Sequence, residues 1–105
     1  MNRSVIVLTT LGTGFNARAL ATDLVERRLV ACVNIVGPIT SIYRWEGRVH
    51  EEGEQLLIMK TTEERVPELR DALFAQHPYE VPEFVVVTID RIEGPYAGWL
   101  RDSTA

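Results

Sequence analysis

The chain has 105 residues, 46% of them hydrophobic, and a net charge of -4. This length suits one compact domain that buries about two-thirds of the surface its unfolded form exposes, so no disulfide framework is needed. Without a basic excess, nucleic acid is not expected as a partner. The first apolar run ends after four residues, which is too short for a signal segment or a membrane span.

Cys32 is the single cysteine of the chain. It cannot form an intrachain disulfide, and no cysteine and histidine residues stand at zinc-binding spacing. The sequence therefore predicts a protein of the reducing cytoplasm.

The first elements are a strand and an amphipathic helix. Residues 4–10 form a β-branched run, which predicts a strand covered on both faces, and "LGTGFN" then breaks the chain. Asn16 is a predicted N-cap, and the helix is expected to end near Leu29. Its apolar residues recur at helical spacing: Ala17, Leu20, Ala21, Leu24 and Val25.

A long hairpin follows. Residues 31–45 favour a strand, with a bulge or kink expected at Gly37-Pro38. Glu46-Gly47 predicts the turn. The next strand passes from a charged stretch to an apolar one before Lys60, and we expect its charged part to lie outside the core.

The second half predicts a helix, a strand and a short closing helix. The helix is expected to begin near Arg65, with Pro67 in its first turn. Residues 83–92 are β-branched and predict a well-buried strand, and Pro95 marks the first helical residue of the closing helix.

The predicted order β-α-β-β-α-β plus a closing helix defines an α+β fold, with residues 1–105 in one domain. Two split βαβ units joined by a hairpin are typical of the ferredoxin-like arrangement, in which both helices cover one face of an antiparallel sheet.

The length of the hairpin predicts an oligomer. Residues 31–45 would span roughly 45–50 Å if fully extended, whereas a domain of this size has a radius of gyration near 13 Å. An overhanging ribbon that carries Ile42, Tyr43 and Trp45 would leave unpaired edges and apolar area, which a neighbouring subunit would cover. The alternative is that Gly37-Pro38 divides the strand into two ordinary pieces within a monomer.

Four motifs resemble the CutA family of divalent-cation tolerance proteins. They are "ACVNIVGPITSIYRWEG", "EEGEQLLIMKTT", "LFAQHPYEVPE" and "YAGWLRDS". Together they cover nearly the whole chain, in the order and spacing of the family.

The resemblance implies a small cytoplasmic homotrimer of ferredoxin-like subunits, similar to the PII signalling proteins, whose long hairpins pair across subunits. It implies Ile42, Tyr43, Trp45 and Trp99 as trimer contacts. It also implies a role in tolerance of copper and other divalent metals.

The family's copper ligands are retained here only in part. The cysteine at the end of the first strand corresponds to Thr9, and the histidine pair before the Pro-Tyr is Gln76-His77. His77 alone remains as a nitrogen ligand, and Glu80 or Glu83 could add oxygen ligands. Alternatively, His77 caps the end of the second helix.

Other residues have two interpretations each. Cys32, Tyr79 and Trp45 are candidates for lining a ligand cleft. Tyr79 is equally typical of a loop anchor with one hydrogen bond, and Cys32 is favoured as a buried apolar residue. Trp45 and Trp99 are interpreted as packing residues at subunit contacts rather than as platforms on which nucleic-acid bases stack.

The acidic stretch around Glu51, Glu52 and Glu54, beside His50, predicts at most a weak attraction for cations, because alternation along a strand splits it between two faces. As a whole, "HPYEVPE" is interpreted as a clasp that ends a helix and starts a strand.

No enzyme signature is present: the chain has no nucleophile elbow, phosphate-binding loop or dinucleotide motif. Two functions are therefore weighed. One is a trimer that binds divalent cations, chiefly copper, in clefts between subunits, with no required cofactor. The other is a PII-like trimer that binds a small metabolite or a protein partner.

Overall fold

A computed structural model describes residues 2–105. In chain order these residues form β1 (Ser4–Gly12), α1 (Ala17–Glu26), β2 (Cys32–Trp45), β3 (Arg48–Thr62), α2 (Val66–Gln76), β4 (Val85–Thr88) and α3 (Gly94–Ser103). A short 3-10 turn, Glu63–Arg65, leads into α2. The predicted domain included Met1, which lies outside the described residues.

The four strands of the described chain form one antiparallel sheet in the order β2-β3-β1-β4. The predicted α+β class and the predicted order of elements are confirmed. β3 and β1 lie in the centre, so β2 and β4 are the two edges of the sheet.

The hydrophobic core lies on one face of this sheet, which we call the helix face. Val5, Val7 and Leu11 of β1 point to this face and are fully buried. Leucines of α1 and α2 pack against them in the same cluster: Leu20, Leu24, Leu69 and Leu73. Both main helices therefore cover the same face of the sheet.

The opposite face, which we call the open face, is only partly covered within one subunit. Along β1, buried residues alternate with half-buried ones such as Ile6 and Leu8. The prediction that β1 is covered on both faces is therefore wrong for the single chain. α1 and α2 pack on the helix face, and only α3 reaches part of the open face, where Tyr96 lies over Lys60.

The last strand also differs from the prediction. β4 contains only Val85–Thr88, all four residues are exposed, and the strand pairs with β1 alone. The expected well-buried strand over residues 83–92 is therefore wrong within one subunit. A β-branched run indicates a strand, but it does not show how many neighbours cover that strand.

The predicted starts of α1 and α2 are confirmed. The Asn16 side chain accepts a hydrogen bond from the Ala19 amide at 3.1 Å, and Pro67 stands in the first turn of α2. Pro95 is the second residue of α3, one position later than predicted. α1 ends at Glu26, before the predicted Leu29, because Arg28 adopts a left-handed conformation with φ 60° that a helix does not allow.

The long hairpin is continuous and carries the predicted bulge. β2 pairs with β3 from Cys32 to Val36 and again from Ile39 to Trp45, so that Gly37 and Pro38 together lie opposite one residue of β3. The alternative in which Gly37-Pro38 divides the strand in two is not observed. Glu46 and Gly47 both have positive φ, which suits a two-residue turn.

The bulge decides which side chains of β2 reach the open face. Residues that pair across an antiparallel ladder share a face. Val36 lies on the open face opposite Leu56, and beyond the bulge Ile39 lies on the same face opposite Glu54. Alternation then puts Tyr43 on the open face, where its ring stacks on His50 with centroids 5.5 Å apart.

The hairpin also outruns the rest of the sheet, as predicted. The last residue of β3 that pairs with β1 is Glu54, opposite Gly12. Residues 40–53 therefore form a ribbon of two strands only, and the long axis of the molecule measures 44 Å.

Thr9 tests how much a buried hydroxyl without a hydrogen-bond partner costs in stability. Its side chain is fully buried on the helix face, and its hydroxyl has no hydrogen-bond partner among residues 2–105. Because an unsatisfied buried hydroxyl lowers stability, we expect Thr9→Val to raise the free energy of unfolding by about 1 kcal/mol. Urea denaturation at one fixed subunit concentration measures the change.

Thr61 is the matched control, because its buried hydroxyl donates a 2.7 Å hydrogen bond to the Leu29 carbonyl. Thr61→Val should lower the free energy of unfolding by about 1–2 kcal/mol. Equal losses in both variants would contradict this account of Thr9.

Candidate functional site

A cleft of about 600 Å³ lies between the two-stranded ribbon and the loop that follows α2. We call it the acidic cleft. Four carboxylates and three aromatic side chains are among its lining residues: Glu52, Glu54, Glu80, Glu83, Tyr43, Trp45 and Tyr79. The predicted contact residue Ile42 and Thr10 of β1 also border it.

A carboxylate and a phenol are joined inside the cleft. The Tyr79 hydroxyl donates a hydrogen bond of 2.7 Å to Oε2 of Glu54. Only 6% of Glu54 is exposed, although the sequence predicted that the charged part of β3 lies outside the core. That prediction is wrong for Glu54, because the loop after α2 folds over the end of β1 and covers it. For Tyr79, the predicted single hydrogen bond is confirmed.

His77 connects the same loop to β1. The Tyr79 amide donates to Nδ1 of His77 at 3.2 Å, and since an amide nitrogen can only donate, Nδ1 is unprotonated. Nε2 lies 2.9 Å from the Thr10 carbonyl and therefore carries the proton that it donates. The imidazole is neutral, and each ring nitrogen is engaged in a hydrogen bond.

The position of His77 matches the prediction, but its partner does not. His77 is the C-cap of α2, and its own amide donates to the Leu73 carbonyl. Its ring bonds a carbonyl of β1 instead of a carbonyl of the helix. "HPYEVPE" ends α2 at Gln76 and leads to β4 at Val85, as the interpretation as a clasp predicted. His77, Tyr79 and Glu54 in addition connect α2, β1 and β3, and we call these three residues the clasp.

The ionisation of the clasp follows from burial and from negative charge. Burial lowers the pKa of His77 below its usual value of 6.5, and the Thr10 carbonyl and Glu54 only partly oppose this. Burial and the hydrogen bond to Glu54 raise the pKa of the Tyr79 phenol. Loss of hydration and the nearby Glu52 raise the pKa of Tyr43. The cleft therefore combines neutral aromatic groups with carboxylates.

The metal-ligand candidates are only partly brought together. Glu80 and Glu83 line the acidic cleft, whereas His77 lies behind Tyr79 and is not part of the lining. In the chain from residue 2 to residue 105, no group of three His, Cys, Asp or Glu side chains is placed to hold a metal ion. A complete metal site would need side chains from more than one subunit. His77 could join it only by giving up one of its two hydrogen bonds.

The two positions that differ from the family's copper ligands lie elsewhere. Thr9 faces the helix side of the sheet and is fully buried. The Gln76 amide donates to the Asp23 carboxylate at 3.1 Å. Neither side chain is part of the acidic cleft.

Cys32 and Trp99 also lie outside the cleft. Cys32 is half-buried at the start of β2, with its sulfur 3.8 Å from the Asn34 side chain, so the predicted burial is only partial within one chain. It stands on an edge strand, opposite Lys60, whose amine lies over the Tyr96 ring of α3. Trp99 is exposed on α3 and packs against Tyr96, with ring centroids 5.2 Å apart.

Sequence reasoning missed Glu54, Glu52 and Tyr43 as members of one site. The turn at Glu46-Gly47 was the available signal. Counting outward from a two-residue turn pairs Tyr43 with residue 50 and Ser41 with Glu52, which is the register observed. The burial of Glu54 had no comparable signal, because it depends on Tyr79, which is 25 residues away along the chain.

Comparison with known proteins matches residues 5–103 to the family model described as CutA1 divalent ion tolerance protein. The chain belongs to the CutA1 family. It is 48% identical over 99 residues to the divalent-cation tolerance protein CutA of Thermus thermophilus, which covers 94% of this chain and 96% of that relative.

Two further comparisons show how similar this CutA1 family member is to a solved structure and to a plant relative. The solved structure of the Thermus thermophilus divalent cation tolerance protein superposes with a TM-score of 0.92 at 47% identity, covering 97% of this chain and 99% of that one. The chloroplastic CutA of Arabidopsis thaliana is 39% identical over 101 residues, which are 96% of this chain and 56% of that relative. Between residues 2 and 105 no helix is both long and apolar enough to cross a membrane.

The buried neutral His77 makes stability depend on pH. The unfolded chain takes up a proton at this residue near pH 6.5, but the folded chain does so only at lower pH. The free energy of unfolding should therefore fall as the pH is lowered through 6.5, by at most about 1.4 kcal/mol per pH unit from this group. It should level off below the pKa of the folded state.

His77→Gln should make this dependence less steep, because glutamine can still donate to the Thr10 carbonyl but does not titrate. Denaturant titrations of both proteins between pH 5 and pH 8 measure the two slopes. His50 is present in both proteins, so a difference in slope belongs to His77. Identical slopes would show that burial of the neutral His77 ring does not contribute to the pH dependence of stability.

Proposed function

We propose that this CutA1 family member is a cytoplasmic homotrimer of ferredoxin-like, PII-like subunits that takes part in the response to metal ions and binds divalent cations at the acidic cleft. Four glutamates on one cleft support the proposal most directly. Carboxylate oxygens suit divalent cations, and their summed negative charge raises the local cation concentration.

The open face of the sheet supports the trimer. It carries Ile6, Leu8 and Val87, which are half-buried or exposed within one chain although α3 covers part of this face. The ribbon exposes Ile42 on its other side, where the side chain is 67% exposed. An apolar surface of this kind, next to an unpaired ribbon, is typical of a contact with further subunits. The predicted contacts Tyr43, Trp45 and Trp99 are all exposed in the single chain and available for the same purpose.

The absence of a three-ligand group among residues 2–105 supports placing the metal between subunits. In this proposal Glu80 and Glu83 supply oxygen ligands from one chain, and the neighbouring chain completes the set. His77 positions Tyr79 and serves as a copper ligand only if it leaves the Thr10 carbonyl. The cytoplasmic location rests on the single cysteine alone. The names of the relatives do not support one compartment, because one relative is named chloroplastic.

The assembly can be tested by mass. Light scattering should give three chains of 11.9 kDa each. Val87→Glu should shift the mass toward one chain, because Val87 is 44% exposed on the open face and a charge there would be buried at the contact. Val25→Glu is the matched control: Val25 is 41% exposed, but it lies on α1, away from the open face. A single-chain mass for the unsubstituted protein would overturn the trimer.

The metal site can be tested by titrating Mn²⁺ and Cu²⁺ into the metal-free protein by calorimetry. We expect the double variant Glu80→Gln and Glu83→Gln to weaken Mn²⁺ binding at least tenfold. His77→Gln should leave Mn²⁺ binding unchanged, since both ring nitrogens of His77 are already engaged.

A control for net charge is the double variant Glu26→Gln and Glu64→Gln, which removes two exposed carboxylates outside the cleft. Equal weakening in the two double variants would mean that the cations respond to overall charge, and the specific site would be abandoned.

A second function is favoured by the size of the cleft. A volume of about 600 Å³ is within the usual range for small-molecule pockets. The alternative is a PII-like trimer that binds a metabolite or a protein partner, with metal effects that are indirect. Thermal shifts in a small-molecule screen, with no shift from divalent metals, would favour it.

A further inference from the structure

We propose that the acidic cleft binds a small organic ammonium ion, with its charged head on Glu54 and its carbon chain against the aromatic walls. This inference rests on the proposed function, because it uses the same cation-attracting cleft, and it names the class of ligand.

Within one subunit, the arrangement of the carboxylates suits an extended cation better than a single ion. Four glutamates line the cleft, yet among the described residues no three acidic, histidine or cysteine side chains are close enough together to hold a metal. A bare ion needs its ligands within about 2.0–2.6 Å of one point. An organic cation several atoms long can instead contact carboxylates that lie apart along a wall.

Glu54 supplies a buried anchor with unused capacity. It is 94% buried, and within residues 2–105 the Tyr79 hydroxyl is the single hydrogen-bond partner of its carboxylate, bound to Oε2. An ionised carboxylate can accept about four hydrogen bonds. Oε1 accepts no hydrogen bond from the described residues and is not enclosed, so it is free to accept from a ligand in the cleft. An ammonium group brings a positive charge and up to three N–H donors, which suit this oxygen.

The aromatic residues supply the second half of the recognition. Tyr43, Trp45 and Tyr79 all line the cleft together with Glu54. The faces of aromatic rings attract cations, and the attraction is larger for poorly hydrated organic ammonium ions than for strongly hydrated metal ions. Such walls can also bury the carbon chain of an amine. A divalent metal ion has no apolar part to bury.

The charges of the lining exclude the opposite class of ligand. No lysine, arginine or histidine is among the residues that line the cleft. A phosphate or carboxylate ligand would meet four glutamates with no cation to balance them, and like charges at short range repel strongly. Anionic metabolites are therefore rejected, and the binding selects for positive charge.

Three four-carbon probes of equal length separate charge from size: 1,4-diaminobutane, 1,4-butanediol and succinate. Each is titrated by calorimetry into the full-length assembled protein at low ionic strength, with the mass checked by light scattering. We expect 1,4-diaminobutane to bind at least tenfold more tightly than 1,4-butanediol, and succinate not to bind. Equal binding of the diamine and the diol, preferential binding of succinate, or no diamine binding would overturn the inference.

Variants locate the binding. Glu54→Gln keeps the shape and an acceptor for Tyr79, and it should weaken diamine binding at least tenfold. Trp45→Leu, with its mass checked by light scattering to match that of the unsubstituted protein, should weaken it about threefold to tenfold. Glu26→Gln, on the exposed surface of α1, is the control and should have no effect. Unchanged diamine affinity in both cleft variants would overturn the assignment.

The two proposals fail in different ways. Mn²⁺ binding that depends on Glu80 and Glu83, without diamine binding, would leave the metal function standing and remove this inference. Diamine binding that depends on Glu54 and Trp45, without metal binding, would support the inference and remove the metal site. Loss of both would overturn both.

Discussion

The difference in length between the β2–β3 hairpin and β1 is the constraint on which the rest of the molecule depends. β1 ends its pairing at Gly12 opposite Glu54, whereas the hairpin continues to the turn at Glu46 and Gly47. Beyond that point two strands stand without a third, and two strands alone are marginally stable in water. The loop after α2 covers part of the exposed ribbon, and the acidic cleft is the space between them. The site therefore exists because the sheet is narrower at one end than at the other.

The clasp between His77, Tyr79 and Glu54 fixes the loop in place. A neutral imidazole donates to a carbonyl of β1 and accepts from the Tyr79 amide, and the Tyr79 phenol then satisfies a carboxylate of β3. These bonds lie in partly dehydrated surroundings, where hydrogen bonds are stronger and unpaired groups cost more. Both ring nitrogens of His77 are thus committed to structure, which leaves the recognition of ligands to the carboxylates and the aromatic rings.

Positive charge is the common requirement of every ligand that the cleft suits. Its lining contains four glutamates and no basic side chain. Tyr43 and Tyr79 are neutral near pH 7, and their raised pKa values keep the phenols protonated to still higher pH. A metal ion and an organic ammonium ion differ in what else they need: converging oxygen ligands for the first, and aromatic and apolar walls for the second. One subunit supplies the walls, while a convergent set of metal ligands would need a neighbouring subunit.

The sequence by itself determined the α+β class, the order of the elements, the N-cap at Asn16, the bulge at Gly37-Pro38 and the family. These features depend on local propensity, turn chemistry and hydrophobic period, all of which can be recognised within a few residues. Only the tertiary structure decided that Glu54 is buried, that both nitrogens of His77 are engaged, and that the valines of β4 are exposed within one chain. Those features depend on contacts between residues far apart in the chain and on how many faces of the sheet are covered, and a run of letters does not specify either.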